Sequence, residues 1–232
     1  MPRQGLKPVC ILICDLDGTL VDSAPDLASA VGDLLAEIGR PPLTEAAVRR
    51  MVGDGVPKLV ERALAASGGV PDNNTLADCV ARYHAFYESR MTELTRPYPG
   101  AVETLSDLKS TGWRLAICSN KPERPSRHIL AALGLDTLFE AVAGGDTFAV
   151  RKPDPGHLHG VLDALGVAPS EAIMLGDSLN DVLAARGAGV PAITIANGYG
   201  PVPAHELGAD VLIETFAELP DALAQVVSGQ MP

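Results

Sequence analysis

Apolar residues in this chain gather in short continuous runs rich in β-branched side chains, separated by stretches with helical spacing. The runs cover residues 9–14, 114–118, 141–143, 172–175, 192–195 and 211–213. Continuous rather than alternating apolar positions describe strands buried on both faces. The intervening helical patterns cover 100–111, 125–133, 155–165, 179–186 and 216–227. Strand alternating with helix implies right-handed crossovers, and so an α/β fold with a parallel sheet and helices on both faces.

Residues 23–96 break the rhythm. They hold no convincing strand, but helical patterns at 26–38, 45–51, 56–66 and 76–92. Gly39-Arg40-Pro41-Pro42, Gly53-Asp54-Gly55 and Ser67-Gly68-Gly69-Val70-Pro71 punctuate them. The pattern predicts two units: a catalytic core from 1–22 and 97–232, and an inserted all-helical domain at 23–96. Ser23-Ala24-Pro25-Asp26 reads as a helix capping box with Asp in place of Glu. The prolines of Arg96-Pro97-Tyr98-Pro99-Gly100 bar a helix at the exit. Both junctions read as hinges.

Composition narrows the partners. The 232 residues are 47% hydrophobic, enough for a sizeable core. A net charge of −11 disfavours nucleic acid and anionic membranes, which need a positive footprint. No apolar run approaches the length of a bilayer span, and the first is interrupted at Asp15 with no small-residue cleavage site behind it. The four cysteines, Cys10, Cys14, Cys79 and Cys118, form no Cys-x-x-Cys pair and read as reduced core thiols. A cytoplasmic protein, monomer or homodimer, is the expectation.

Candidate chemistry sits where strands end. The first run stops at Asp15-Leu16-Asp17-Gly18-Thr19, which sets two carboxylates at the sheet edge where open α/β folds bind ligands. Like charges so close call for a cation between them, an expected magnesium site. Asp15 is the candidate nucleophile and Asp17 the general acid–base. Gly18 allows a sharp turn and a close approach to a ligand. Ser119 ends the second core strand; its hydroxyl can donate to a phosphate oxygen, or simply cap the next helix. In Arg151-Lys152-Pro153-Asp154-Pro155 one of the two cations could meet phosphate, or the segment is a solvated basic turn. Met174-Leu175-Gly176-Asp177 places a further carboxylate at a strand end, and Asp177 can ligate the metal. Asp181 closes a capping box with Ser178 and can also orient Lys152 or a metal-bound water. His157 and His159, two apart on a helix, point in different directions and read as solvated or capping. Trp113 reads as packing beside a strand.

Together, Asp15-x-Asp17-Gly18-Thr19, Ser119, Lys152 and Gly176-Asp177-Ser178-x-x-Asp181 resemble the four ordered motifs of the haloacid dehalogenase superfamily. The resemblance covers essentially the whole chain. It implies a Rossmann-like core with a helical cap domain and a phosphoaspartate intermediate on Asp15. It also implies Mg2+ held by Asp15, the Asp17 backbone carbonyl and Asp177, with Asp181 in the same acidic group. Closer similarity to the phosphoglycolate phosphatases is carried by Val52-Gly53-Asp54-Gly55 with the helix after it, Pro97-Tyr98-Pro99-Gly100, Ser119-Asn120-Lys121-Pro122 and Asn197-Gly198-Tyr199-Gly200. It implies hydrolysis of a small phosphorylated metabolite, 2-phosphoglycolate. Gly18, Thr19, Asn120, Gly53, Asp54, Gly55 and Lys58 are the expected substrate contacts. A phosphatase for another sugar phosphate, a phosphosugar mutase and a non-catalytic phospho-acceptor module are the competing readings.

Overall fold

The computed structural model describes residues 11–229. Val9 and Cys10 of the first predicted strand lie outside the described residues. Strand β1 (Ile11–Cys14) turns into the short β2 (Val21–Asp22). Four helices follow: α1 (Ala24–Glu37), α2 (Glu45–Arg49), α3 (Val56–Ala66) and α4 (Asn73–Glu88). After β3 (Arg96–Pro97), strands and helices alternate as α5 (Ala101–Ser110), β4 (Arg114–Cys118), α6 (Glu123–Ala132), β5 (Ala141–Ala143), α7 (Gly156–Leu165), β6 (Ala172–Gly176), α8 (Leu179–Ala188), β7 (Ala192–Ile195), β8 (Val211–Ile213) and α9 (Leu219–Ser228).

Six strands form one parallel sheet in the order β5-β4-β1-β6-β7-β8. From β1 the chain winds outward one way through β4 and β5, and the other way through β6 to β8. That reversal opens a crevice at the carboxyl end of β1. In register, Cys14 lies opposite Ile117 of β4 and Leu175 of β6, so the segments that leave the three strands, with Asp15, Ser119 and Asp177, start side by side.

Side-chain alternation fills both faces of the sheet. Leu12, Cys14, Leu115, Ile117 and Leu175 pack in one cluster with Leu105 of α5 and Leu219 and Leu223 of α9. Ile11, Ile13, Ala116, Cys118 and Met174 pack in the other with α7 and α8. The inserted helices bury their own apolar stripe, including Leu34, Leu35, Val60, Leu64 and Tyr83, with α1 against α2 and α4. No described helix is long and apolar enough to cross a membrane.

Several expectations need correction. The hinge segments pair with each other as an antiparallel ribbon, Val21 opposite Pro97 and Asp22 opposite Arg96. Two residues per strand are too few to leave a periodic signal. The expected capping box at Ser23 does not form: the Ser23 side chain makes no cap bond and its hydroxyl donates to Asp17 Oδ1 at 2.6 Å. Asp26, fully buried, instead accepts from the backbone N–H groups of Leu94 and Thr95 and from the Thr95 hydroxyl. A buried carboxylate needs such donors, and these tie the first cap helix to the returning chain. Helix α4 starts three residues before the predicted position because Asp72 caps it, accepting from the N–H groups of Asn74 and Thr75. It ends at Glu88, short of the predicted Thr92.

Candidate active site

Each parallel strand around the crevice ends in a polar side chain. Asp15 directly follows β1, Ser119 follows β4 and Asp177 follows β6. The Asp15 N–H donates to Leu175 O at 2.9 Å and the Ser119 N–H to Ala143 O at 2.9 Å, which continues the ladder one step into the site.

Lys152, 2% exposed, reaches in from the loop before α7. Its ammonium lies 3.1 Å from Asp15 Oδ1, 2.6 Å from Asp181 Oδ1 and 2.6 Å from the Cys118 carbonyl. It donates to Asp181 Oδ1 and the Cys118 carbonyl and pairs with Asp15 by charge. Burial alone would lower the Lys152 pKa, but Asp15 and Asp181 outweigh it and hold the ammonium above its ordinary range. Asp15 is pushed up to about 6, chiefly by burial, with Asp181 adding and Lys152 and Ser119 opposing. Asp177 is also raised, by burial and then by Asp181 and Asp15.

The carboxylates of Asp15, Asp177 and Asp181 are buried, with one oxygen of each within 4.8 Å of the others. Raised carboxyl pKa values and an all-oxygen donor set fit a hard divalent cation such as Mg2+. Asp177 keeps both oxygens oriented: Oδ1 accepts from the Thr19 hydroxyl at 2.8 Å and Oδ2 from the Tyr199 N–H at 3.1 Å. Asp181 is differently engaged. Its Oδ2 accepts from the Ser178 hydroxyl and the N–H groups of Asp177 and Ser178 while Oδ1 holds Lys152, so capping box and lysine anchor coexist.

Asp17 lies in a shallower position. Ser23 and the Lys121 ammonium, 3.0 Å from Oδ2, hold its carboxylate. Lys121 also contacts the Tyr87 hydroxyl of α4 at 2.8 Å. The loop before α3 closes over the crevice: Asn120 Nδ2 donates to Gly53 O at 2.9 Å, and Asn180 Nδ2 to Asp54 Oδ1 at 2.8 Å. Between them lies a partly open pocket of about 40 Å³, lined by Asp15, Asp17, Ser119, Asn120 and Lys121 below and by Leu27, Val52, Gly53, Gly55, Val56 and Leu59 above.

The structure therefore gathers Asp15, Asp17, Ser119, Lys152, Asp177 and Asp181, with Asn120, Gly53 and Gly55 on the pocket wall. It does not bring four predicted substrate contacts there. Thr19 is fully buried behind Asp177, its hydroxyl engaged by that carboxylate. Gly18 adopts φ +86°, and a Cβ on it would lie 2.5 Å from Asp177 Oδ2, so its close approach is to that carboxylate. Asp54 pairs with Arg62 and Asn180; these partners outweigh burial and hold its carboxyl below the ordinary range. Lys58 is exposed and pairs with Glu61 at 2.8 Å. His157 is fully buried, not solvated: its Nδ1 accepts from the Lys152 N–H and its Nε2 faces Gly144 O at 3.1 Å. His159 is exposed.

Sequence reasoning passed over Lys121, Tyr87 and Tyr199 as site residues. Lys121 carried a signal, standing two residues beyond a strand-ending Ser119. Tyr199 carried less: its hydroxyl accepts from the N–H groups of Ser23 and Ala24 and donates to Asp22 Oδ1, a hub that only the fold assembles.

Residues 11–189 match the family model described as haloacid dehalogenase-like hydrolase. The chain is 44% identical over 215 residues to a phosphoglycolate phosphatase of Caulobacter vibrioides, covering 93% of this chain and 91% of that protein. It is 45% identical over 216 residues to a phosphoglycolate phosphatase of Rhodospirillum rubrum, covering 91% and 90%. A crystal structure described as a predicted phosphoglycolate phosphatase from Haemophilus somnus 129PT superposes with a TM-score of 0.89 at 30% identity, over 94% of this chain and 99% of that one.

Proposed function

The chain belongs to the haloacid dehalogenase-like hydrolase family, and on that premise we propose that it hydrolyses 2-phosphoglycolate to glycolate and phosphate. It is a phosphoric monoester hydrolase; substrate and route are the proposal. The observation that carries it is the meeting of Asp15, Asp17 and Ser119 in one pocket beneath the Gly53 loop, with the Lys152 ammonium 3.1 Å from Asp15.

In this reading the Asp15 carboxylate attacks phosphorus in line with the ester oxygen. The bond from Asp15 oxygen to phosphorus forms as the phosphorus–ester oxygen bond breaks, and Asp17 gives its proton to the departing glycolate oxygen. Asp17 then removes a proton from the water that attacks phosphorus, which releases phosphate and restores the Asp15 carboxylate. Lys152 and Ser119 offset charge on the peripheral phosphoryl oxygens. Mg2+ held by the carboxylates of Asp15 and Asp177 would supply Lewis-acid neutralisation of the same oxygens. Asp181 keeps the Lys152 ammonium aimed at Asp15, and the loop at Gly53 excludes bulk water.

The test is phosphate release from a panel of phosphorylated metabolites and a generic aryl phosphate with magnesium present. We expect 2-phosphoglycolate to lead, Asp15→Asn to release nothing, and Asp17→Asn to lose roughly 10²–10⁴-fold in rate while still binding substrate. A preference for a hexose phosphate, or turnover surviving in Asp15→Asn, would refute the reading.

A further inference from the structure

Tyr199, buried in the turn after β7, touches three parts of the molecule at once. Its backbone N–H donates to Asp177 Oδ2 at 3.1 Å. Gly198 permits that approach, since a Cβ there would lie 2.7 Å from the Asp177 carbonyl oxygen. The Tyr199 hydroxyl accepts from the N–H groups of Ser23 at 2.7 Å and Ala24 at 3.1 Å, where the chain leaves for the cap, and donates to Asp22 Oδ1 at 2.8 Å. Its ring carries the guanidinium of Arg49, the last residue of cap helix α2, 4.9 Å from the centroid. Arg49 closes the circle by donating to Asp22 Oδ2 at 2.9 Å. The returning chain meets the same turn: the Tyr98 hydroxyl donates to the Asn197 carbonyl at 3.3 Å.

These contacts respond to different movements. The bond from Tyr199 to Asp177 lies within the core and survives any movement of the cap. The Arg49 contact joins cap to core, and turning the cap about residues 22–24 draws the guanidinium off the ring. Asp22 is held from both sides, by the core through Tyr199 and by the cap through Arg49. Loosening either grip lowers the fraction of molecules whose cap is closed. Substrate must then close it, which weakens apparent affinity by that fraction. At saturation the cap is closed in either case, so turnover is spared.

We propose that Tyr199 is a positioning residue of this hydrolase: through Asp22 and Arg49 it holds the cap at the angle that seats Gly53 and Asp54 on Asn120 and Asn180. The inference goes beyond the proposed function and is independent of which phosphomonoester is the substrate.

The experiment measures kcat and KM for the phosphomonoester that the protein turns over fastest, and Mg2+ affinity by calorimetry without substrate. The proteins are the wild type, Tyr199→Phe, Arg49→Met and the double variant. Tyr199→Phe removes the hydroxyl but keeps the ring and the N–H to Asp177. Arg49→Met alters a part-exposed side chain and keeps the test open should Tyr199→Phe fail to fold. Each single substitution is expected to raise KM roughly tenfold, about the worth of one lost hydrogen-bonded contact, with kcat and Mg2+ affinity within roughly threefold of the wild type. The double variant is expected to fall well short of the roughly hundredfold product, because both changes release Asp22. An unchanged KM in Arg49→Met overturns the proposal. So does a loss of kcat or of Mg2+ affinity in Tyr199→Phe with KM unchanged, which would make Tyr199 a support of the metal acids alone. A double variant at the full product overturns the shared route through Asp22.

Discussion

His157 gives the sharpest test of how the Lys152 loop is held. Its ring is fully buried between the Lys152 N–H, which donates to Nδ1, and the Gly144 carbonyl, which faces Nε2. Those two partners fix the neutral tautomer with its proton on Nε2. Adding a proton at Nδ1 would break the bond to Lys152 and place a charge beside the Lys152 ammonium. Burial, then Lys152, lowers the pKa from 6.5 to about 4, against a smaller opposing contribution from the Gly144 bond. The folded pKa lies below the unfolded one, so the unfolded chain binds the extra proton. The stabilisation is complete above pH 6.5 and is lost as pH falls towards 4. Linkage puts the loss at about 2 kcal/mol at pH 5 and about 3 kcal/mol at pH 4. Urea unfolding of metal-free protein at pH 7, 5 and 4 measures it, with His157→Gln as the partner that cannot titrate. Carboxylate titrations are common to both, so the difference in slope isolates the histidine. We expect the wild type to lose about 3 kcal/mol more than His157→Gln across that window. Parallel losses would mean that His157 is protonated in the folded protein and that the tautomer assignment is wrong.

Three other perturbations follow from the geometry. Gly18→Ala would drive a Cβ to 2.5 Å from Asp177 Oδ2 at φ +86°; we expect magnesium affinity to fall at least tenfold with little loss of secondary structure, read by calorimetry and circular dichroism. Asp26→Ala strands the N–H groups of Leu94 and Thr95 and should destabilise the protein by about 3 kcal/mol in chemical denaturation. Asp15 is raised to about 6 and Asp177 also lies above its ordinary range, so in metal-free protein these two carboxyls contribute stability that is lost as pH rises from about 4 through 6, opposite in sign to His157; added magnesium should raise Tm more at pH 8 than at pH 5, and equal increments would count against the acidic pair as the metal site.

The core was legible because buried parallel strands announce themselves locally. Residues 114–118, 141–143, 192–195 and 211–213 are strands with the predicted limits, since continuous apolar runs leave no other element of that length plausible. The strand-end acids were legible for the same reason: Asp15 and Asp177 interrupt apolar runs, and a sheet edge is where such an interruption is tolerated. The side-chain assignments around them were less so, because a residue type states what bonds it can make and not which partner it meets. Thr19 was read as reaching a ligand and Ser23 as capping a helix. Each hydroxyl instead meets a carboxylate, Asp177 for the first and Asp17 for the second. Asp26 shows why such choices escape a linear reading: its partners at Leu94 and Thr95 lie at the far end of the inserted helices. Lys121 is the most consequential instance. In the chain it is one of the 18 lysines and arginines of an acidic protein. In the fold it is a buried ammonium gripped from the core by Asp17 and from the cap by Tyr87. The first contact needs the loops after β1 and β4 side by side and the second needs helix α4 to reach them, long-range arrangements that local periodicity does not encode. Chemistry common to the family sits at strand ends and is visible locally, whereas a contact between the two units becomes visible only when they meet.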